Sequence, residues 1–125
     1  MKLDKADIVF SHYIRLRDKM CMRCHSSVTF NDKGLPNSHQ ASHFFGRGKE
    51  NTRYDPLNVD ALCMGCHRIW GSDNREEYRA FKIQQLGEEA FTLLCLRAEM
   101  YCKRDRKLAY IASKELLKTL RENTS

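Results

Sequence analysis

Cys21-Met22-Arg23-Cys24 and Cys63-Met64-Gly65-Cys66 share one Cys-x-x-Cys spacing. Two cysteines at this spacing can bind one tetrahedral metal ion, and a second pair completes a closed structural zinc site. A single pair would leave a redox role open, whereas two pairs in one chain favour zinc. The sequence therefore predicts a structural Zn²⁺ site formed by Cys21, Cys24, Cys63 and Cys66.

The expected compartment agrees with this use of cysteine. Residues 1–7 are charged and lack the apolar run that is typical of a secretory signal. The longest apolar run, near residues 91–96, is too short to cross a bilayer. We therefore expect a cytoplasmic protein without membrane contacts, in which thiols stay reduced. Cys95 and Cys102 form no second metal-binding pair, and we expect them to be buried thiols.

The chain has 125 residues, which fits one domain of the α+β class. It divides into an N-terminal helix over 4–19, a zinc-containing core over 20–74 and a helical extension over 75–122. The core contains both prolines and most of the glycines, so long helices are not expected there. The extension has the spacing of apolar residues that is typical of helices.

Local signals predict the helix boundaries and faces. Asp4 is expected to cap the first helix, and Gly87 to end a helix over 75–86. Two further helices are predicted over 88–103 and 108–120. The expected apolar face of the first helix is Ile8, Tyr13, Leu16 and Met20. Those of the last two helices are Phe91, Leu94, Cys95, Ala98 and Cys102, and then Leu108, Ile111, Leu116 and Leu120.

Two short strands are predicted between the cysteine pairs, over 39–45 and 59–62. A strand over 39–45 would place His39 and His43 on the same face. The second Cys-x-x-Cys pair would open a helix that runs through His67 and Trp70. His67 follows the last cysteine directly, so the zinc site would fix its position.

The order Cys-x-x-Cys, His43, Asn58, Cys-x-x-Cys, His67 suggests a chemical site next to the zinc. Neutral imidazole can accept a proton from water, and a second imidazole can ligate a divalent ion. Each histidine taken singly is more often structural than catalytic. The combined order is much more specific than its parts.

The segment resembles the HNH endonuclease family, and more narrowly the phage NinG/Rap recombination nucleases. The resemblance covers most of the chain, and the last thirty or so residues share only helical character. The stretches that carry it, besides the cysteine pairs and Asn58, are 10–18, Gln40-Ala41-Ser42-His43-Phe44, Arg47-Gly48, 71–79 and 86–90.

This resemblance implies a ββα-metal finger in which His43 is the general base that activates water. It further implies that His67 ligates a catalytic Mg²⁺ or Mn²⁺ and that Asn58 braces the loop that orients His43. The reaction would cleave DNA to a 5′-phosphate and a 3′-hydroxyl. The family also implies a phage or prophage protein of a bacterial host, acting in DNA recombination on branched or nicked DNA.

The sequence departs from the commoner HNH pattern at one point. Many members carry an acidic metal ligand one or three residues before the base, whereas Ser42 and Gln40 occupy those positions here. A second ligand for the catalytic metal is therefore left open. The candidates are His39, Asp60, Asp73 and Asn74.

The charge balance favours a partner that carries phosphates. The formal net charge is +6, from 22 basic and 16 acidic residues. Arg47, Lys49 and Arg53 lie in a glycine-containing loop after the first strand and are the candidate DNA contacts. A solvated loop with no partner is the alternative for this segment. A second basic cluster, 103–107, suits either flanking DNA or a polar turn.

Two other functions stay open on the sequence. The first is a catalytically inactive, zinc-stabilised DNA-binding module, since the acidic ligand is missing. The second is a zinc-organised adaptor for protein partners, which the His-Asn-His order and the basic balance disfavour. Symmetric cutting of both strands of a DNA junction would suggest a homodimer, and the helical extension is the first candidate for its interface.

Overall fold

The computed structural model describes residues 3–123 and has an α+β fold. Its described part contains five α-helices and one two-stranded sheet. In chain order the elements are α1 Lys5–Asp18, β1 Gln40–His43, β2 Val59–Leu62, α2 Met64–Arg68, α3 Arg75–Leu86, α4 Glu88–Glu99 and α5 Arg106–Asn123. None of the helices within 3–123 is long and apolar enough to cross a membrane.

Helix α1 begins and ends close to its predicted boundaries. Asp4 caps it and, with Asp7, forms a reciprocal capping box. Lys19 ends it in the left-handed conformation, with φ of 62°. Its buried face differs from the predicted one, because Phe10 and Ile14 face the core while Ile8 is 47% exposed. The apolar stripe predicted from spacing is therefore only partly correct for this helix: Tyr13 packs against the core, whereas Ile8 and Met20 are exposed.

Strands β1 and β2 form an antiparallel pair in which His43 lies opposite Val59 and Ser42 lies opposite Asp60. Every residue of β2 is buried. Val59 and Ala61 pack in one cluster with Phe10 and Ile14 of α1. Leu62 belongs to a second cluster, formed by side chains from the zinc-site segments and the C-terminal helices. Its buried members are Cys21, Phe44, Leu62, Cys66, Trp70, Tyr78 and Phe91.

The helix after β2 is shorter than predicted. Helix α2 ends at Arg68 and continues as one π-helical turn over Ile69–Asp73. Asn74 then caps α3 by accepting a hydrogen bond from the Glu77 amide. This turn places Trp70 in the core beside Tyr78 of α3, with the two rings stacked at 4.7 Å.

Helices α3, α4 and α5 correspond to the three helices predicted for the extension. Helix α3 has its predicted bounds, whereas α4 ends at Glu99 rather than at residue 103. Phe91, Leu94 and Ala98 of α4 are buried, as predicted. Helix α5 packs against α1.

The predicted face of α5 is only partly correct. Leu108 and Ile111 are 58% and 55% exposed. Ser113 and Leu117 are its buried residues instead. Packing against α1 thus selects a different face from the one that the apolar spacing indicated.

Candidate metal centre and candidate active site

The four cysteines of the two Cys-x-x-Cys pairs meet at one point. Their sulfur atoms all lie within 4.8 Å of one another, and the Sγ atoms of Cys24 and Cys63 are 3.7 Å apart. Sulfurs about 2.3 Å from a tetrahedral zinc ion lie about 3.8 Å from each other. The predicted ligand set is therefore placed to hold a metal ion such as zinc.

Local backbone structure sets up each pair. The first pair forms a tight turn, and His25, directly after Cys24, adopts the left-handed conformation with φ of 66°. An antiparallel bridge between Met20 and Ser27 closes this turn. The second pair lies at the start of α2, where Cys63 is the N-cap and Cys66 is in the first turn. The turn at Cys21 and Cys24 and the start of α2 therefore each place two thiols in the same cluster.

The pKa values of Cys24 and Cys66 are shifted in opposite directions. The Ser26 hydroxyl beside Cys24 lowers the pKa of that thiol to about 6. Burial raises the pKa of the Cys66 thiol to about 12, against the effect of Arg23, whose Nη1 is 3.5 Å from Cys66 Sγ. A bound cation is what allows all four thiols to ionise together.

Cys95 and Cys102 do not belong to this cluster. Both are half-buried rather than fully buried. Cys95 packs against the core that contains Trp70 and Phe91, and Cys102 lies 3.6 Å from the Lys103 carbonyl oxygen. Cys95 is thus a packing residue of the core.

His43 ends β1 in a largely buried position. Its Nε2 lies 2.9 Å from the carbonyl oxygen of Arg53. Burial lowers the pKa of His43 to about 4, although the Arg53 carbonyl opposes this shift. The imidazole is therefore neutral at pH 7, with the Nε2 proton donated to Arg53 and the lone pair on Nδ1. This is the protonation state that a general base requires.

This shifted pKa predicts a pH-dependent stability. The unfolded chain binds the His43 proton near pH 6.5 and the folded chain only near pH 4, so stability falls as the pH drops through this window. Between pH 7.5 and pH 5 the loss from His43 alone is about 2 kcal/mol. Urea unfolding at both pH values should show this difference between wild type and His43→Gln, which cannot titrate. If both proteins lost the same free energy of unfolding between pH 7.5 and pH 5, the lowered pKa of His43 would be contradicted.

Asn58 fixes the loop that holds His43. Its side chain is fully buried and accepts a hydrogen bond from the Phe45 amide at 2.8 Å. Its Nδ2 donates to the carbonyl oxygens of Phe45 and Thr52, at 2.9 and 3.0 Å. Thr52 precedes Arg53, whose carbonyl receives the His43 proton. One amide group thus ties both ends of the loop that orients the imidazole.

Arg53 is a buried structural residue, which corrects its prediction as a DNA contact. It is 3% exposed, and its Nε and Nη2 donate to the two carboxylate oxygens of Asp7 at 3.0 and 2.6 Å. A guanidinium held in this way cannot reach a phosphate outside the protein. Its charge instead helps to lower the pKa of Asp7 to about 2, against the desolvation that burial imposes. Asp7 therefore supports the Arg53–His43 contact, a role that the sequence did not reveal.

The other two loop cations have different surroundings. Lys49 forms an exposed ion pair with Glu99, at 3.1 Å. Arg47 has a buried Nε with no hydrogen-bond partner among the described residues. Burial lowers the pKa of His67, and the positive charge of Arg47 lowers it further. Arg47 is thus the loop cation placed next to the histidines.

His67 lines the same cavity as His43. Its Nδ1 is 2.9 Å from the hydroxyl of Ser42, the neighbour of His43 on β1. Ser42, His43 and His67 all line this cavity, which has a volume of about 530 Å³. If Nδ1 donates to Ser42, the lone pair on Nε2 is available to a metal ion. This role of Ser42 was not predicted from the sequence.

His39 lies apart from that cavity. Strand β1 begins after it, and its φ of 64° turns it off the strand, so His39 does not share a strand face with His43 as predicted, although both line a smaller cavity of about 210 Å³. Its Nδ1 is 3.0 Å from the Ser38 hydroxyl, and its Nε2 is 3.0 Å from the Ser26 carbonyl oxygen. With both ring nitrogens engaged, His39 holds the 26–38 loop together, and we do not retain it as a ligand of a catalytic metal.

The remaining candidates for a second ligand also lie outside the cavity lining. Asp60 is fully buried and surrounded by the Tyr78 hydroxyl, Lys82 Nζ and Gln85 Nε2, at 2.9 to 3.1 Å. Asn74 is occupied as the cap of α3. Ser72 donates to the carboxylate of Asp73. None of these side chains is presented to His67.

No protein-family model, curated protein or solved structure matches this chain.

Proposed function

We propose that the protein is a metal-dependent endonuclease that hydrolyses phosphodiester bonds in DNA. The observation that carries the proposal is the environment of His43. This imidazole is held neutral by burial, oriented by the Arg53 carbonyl, and faces the same cavity as His67. A neutral, oriented imidazole next to a candidate metal ligand is suited to hydrolysis with a water nucleophile.

We further propose that the fold is the ββα-metal finger of the HNH family, of the NinG/Rap type. In support, β1, β2 and α2 follow one another in the chain. Within this unit His43 ends the first strand, Asn58 directly precedes the second, and His67 is on the helix. The four cysteines join its helix to the preceding turn.

The proposed reaction begins when His43 Nδ1 accepts a proton from water. The water oxygen forms a bond to phosphorus, and the bond between phosphorus and the 3′-oxygen breaks. The 3′-oxygen then takes a proton from solvent, which leaves a 5′-phosphate and a 3′-hydroxyl. Asn58 contributes by keeping the Arg53 carbonyl, and hence the imidazole, in place.

His67 is the residue of this chain that would ligate Mg²⁺ or Mn²⁺, through Nε2. Such an ion, when bound, supplies positive charge for the phosphorane and the leaving oxygen. The Ser42 hydroxyl orients the His67 ring from the opposite nitrogen. Arg47 is the proposed contact to the DNA backbone in this region, since its guanidinium has an unsatisfied donor beside the histidines.

The first test is nicking of supercoiled plasmid by the zinc-loaded protein with Mg²⁺ or Mn²⁺. We expect His43→Ala to reduce the rate about 10²- to 10⁴-fold, because the general base is lost. His12→Ala is the matched control, since this half-buried histidine of α1 is not part of the cavity lining. Equal rates for His43→Ala and wild type would refute the assigned base.

The same assay decides between the proposal and its alternative. The described lining of the cavity includes no carboxylate, and this observation favours an inactive DNA-binding module as the second candidate. DNA binding without nicking by the wild type would select that module. We further propose, from the resemblance alone, that the substrate is a branched or nicked DNA in phage recombination. Comparing the nicking rates of four-way junctions, nicked duplex and intact duplex tests this proposal. Paired cuts in a junction would favour a homodimer.

A further inference from the structure

Helix α5 carries positive charge along one exposed face. Its cations recur at spacings of seven, four and three residues, which places them above one another on the same side of the helix. Because a helix rises about 1.5 Å per residue, this row of charges is about 21 Å long. The α5 basic stripe consists of Lys107, Lys114, Lys118 and Arg121, all of them exposed.

The central lysines of the stripe are not neutralised by carboxylates. Cations elsewhere on the surface form ion pairs, as Lys49 does with Glu99 at 3.1 Å. Lys114 and Lys118 form no ion pair within residues 3–123. Lys114 lies instead over the ring of Tyr110, with its Nζ 5.1 Å from the ring centre. The stripe therefore presents positive charge to the solvent.

The acidic residues of α5 lie beside the stripe and not on it. Each residue turns a helix by about 100°, so Glu115 and Glu122 are about 80–100° away from Lys114 around the axis. Helix α5 has five basic and two acidic residues, which gives it a formal charge of +3. Charges of one sign on one helix face attract a partner of the opposite sign.

The stripe lies close to the candidate active site. A groove of about 720 Å³ is lined by Lys114 and Lys118 of α5 and by Val9 of α1. Ser11 of α1 lines the smaller cavity that also contains His43. Residues two apart differ by about 200° around a helix, so Val9 and Ser11 lie on opposite sides of α1. One helix, about 10 Å wide, thus separates the groove from the cavity of the proposed general base.

A nucleic-acid backbone fits this surface better than an anionic membrane does. A basic helix that binds a bilayer inserts its apolar face among the lipids. In α5 that face is used within the protein, because Leu117 is buried and Leu116 packs against the cluster of Phe10 and Ile14. Duplex DNA requires only the charges, since it carries one negative charge per about 1.7 Å of its length.

We propose that the α5 basic stripe binds the phosphate backbone of duplex DNA beside the segment that is cleaved. This inference rests on the proposed function and names the surface that holds the flanking part of the substrate. A length of about 21 Å corresponds to roughly six base pairs, at about 3.4 Å each. Lysine side chains act as flexible point charges, so the contact is to phosphates and is independent of base sequence.

The test is a titration of a fluorescent duplex of about 20 base pairs, followed by anisotropy at several NaCl concentrations without an added divalent ion. Lys114→Gln/Lys118→Gln should weaken binding at least about fivefold at low salt, because two phosphate contacts are lost. The slope of log affinity against log salt should fall by about two. Glutamine is a good helix former, so α5 should persist in this variant.

Lys33→Gln/Arg79→Gln is the matched control for this variant. It removes the same charge from two exposed positions outside the stripe and should change the affinity less than about twofold. If Lys114→Gln/Lys118→Gln bound the duplex with the affinity and salt slope of the wild type, the inference would be overturned.

Amide chemical shifts of the ¹⁵N-labelled, zinc-loaded protein give a second readout that does not depend on activity. Adding the duplex without a divalent ion should shift the signals of Lys114 and Lys118 together with those around His43, with one common Kd. Shifts confined to the surroundings of His43, with α5 unchanged, would overturn the inference.

Failure of this inference and failure of the proposed function give different results. Nicking by the wild type, with unchanged DNA binding by Lys114→Gln/Lys118→Gln, would overturn the inference alone. DNA binding that depends on the stripe, without nicking, would support the inference and overturn the proposed hydrolysis. Absence of duplex binding by the wild type would overturn both. Sedimentation with phosphatidylglycerol vesicles that is lost in the stripe variant, while DNA affinity is unchanged, would assign the stripe to a membrane surface instead.

Discussion

Cys63→Ser should abolish stoichiometric zinc binding and the cooperative thermal transition of the protein. Cys63 supplies one of the four sulfurs that lie within 4.8 Å of one another. A structural zinc site in a small protein contributes about 10–16 kcal/mol of binding free energy, which is coupled to folding. This exceeds or equals the net stability of a typical domain, about 5–15 kcal/mol. Losing even part of it should leave the zinc region unfolded.

Serine at this position makes the test specific. Cys63 is the N-cap of α2 and makes no capping hydrogen bond of its own. Serine is a preferred N-cap residue, so the substitution should stabilise the helix start apart from its effect on the metal. Metal analysis and melting followed by circular dichroism check the result.

Cys95→Ser is the matched control for this experiment. Cys95 is half-buried and lies outside the cluster, so this variant should keep one zinc per chain and melt cooperatively. If Cys63→Ser retained the zinc content of the wild type, the assigned ligand set would be wrong.

Local sequence signals predicted the secondary structure well. The two strands were predicted over 39–45 and 59–62, and they are found at Gln40–His43 and Val59–Leu62. The boundaries of α1 and α3 follow the predicted cap at Asp4 and the predicted end at Gly87, and the start of α3 is also capped by Asn74, which was not predicted. Such interactions depend on neighbouring residues, so they can be read from a short stretch of sequence.

The buried helix faces could not be predicted in the same way. Helix α1 is covered by β2 on one side and by α5 on another, and these partners are distant in sequence. Its buried face therefore includes Phe10, Ile14 and the charged Asp7, rather than a simple apolar stripe. Periodicity assumes one apolar contact surface, and it fails when a helix is packed from two sides.

The site shows the same limit. The cysteine cluster was predictable because metal ligation imposes a fixed spacing within each pair. The role of Arg53 was not, because a loop arginine looks like a DNA contact until its partner is known. That partner, Asp7, is 46 positions away in the chain. Asp7 forms the capping box with Asp4 and pairs with Arg53, and neither role was predicted from the sequence.

Lys82 is the clearest example of a residue whose environment the sequence conceals, and its replacement should have a large effect. Its side chain is 1% exposed, and its Nζ lies 3.1 Å from an oxygen of Asp60, which is 0% exposed. Burial lowers the pKa of Lys82, and the carboxylate of Asp60 opposes that shift. Removing one partner of a buried ion pair leaves an uncompensated charge and costs about 3–5 kcal/mol.

We therefore expect Lys82→Met to lower the free energy of unfolding by about 3–5 kcal/mol, or the melting temperature by about 10–20 °C. Lys107→Met, at an exposed position in the first turn of α5, is the control and should change stability by less than about 0.5 kcal/mol. Urea unfolding at pH 7 measures both.

A double substitution separates the charge from the packing. In Lys82→Met/Asp60→Asn neither of the two substituted positions carries a charge, and the Tyr78 hydroxyl and the Gln85 amide can still hydrogen-bond the asparagine. We expect the double variant to recover most of the lost stability, because exchanging a buried ion pair for neutral groups is often close to neutral. A double variant as unstable as Lys82→Met would mean that the loss comes from packing around Lys82. The Tyr78 hydroxyl also lies 3.1 Å from the Ser42 carbonyl oxygen, and the Ser42 hydroxyl contacts His67. If the double variant recovers stability but not nicking, the hydrogen bonds among Asp60, Tyr78 and Lys82 have a role in placing Ser42 and His67.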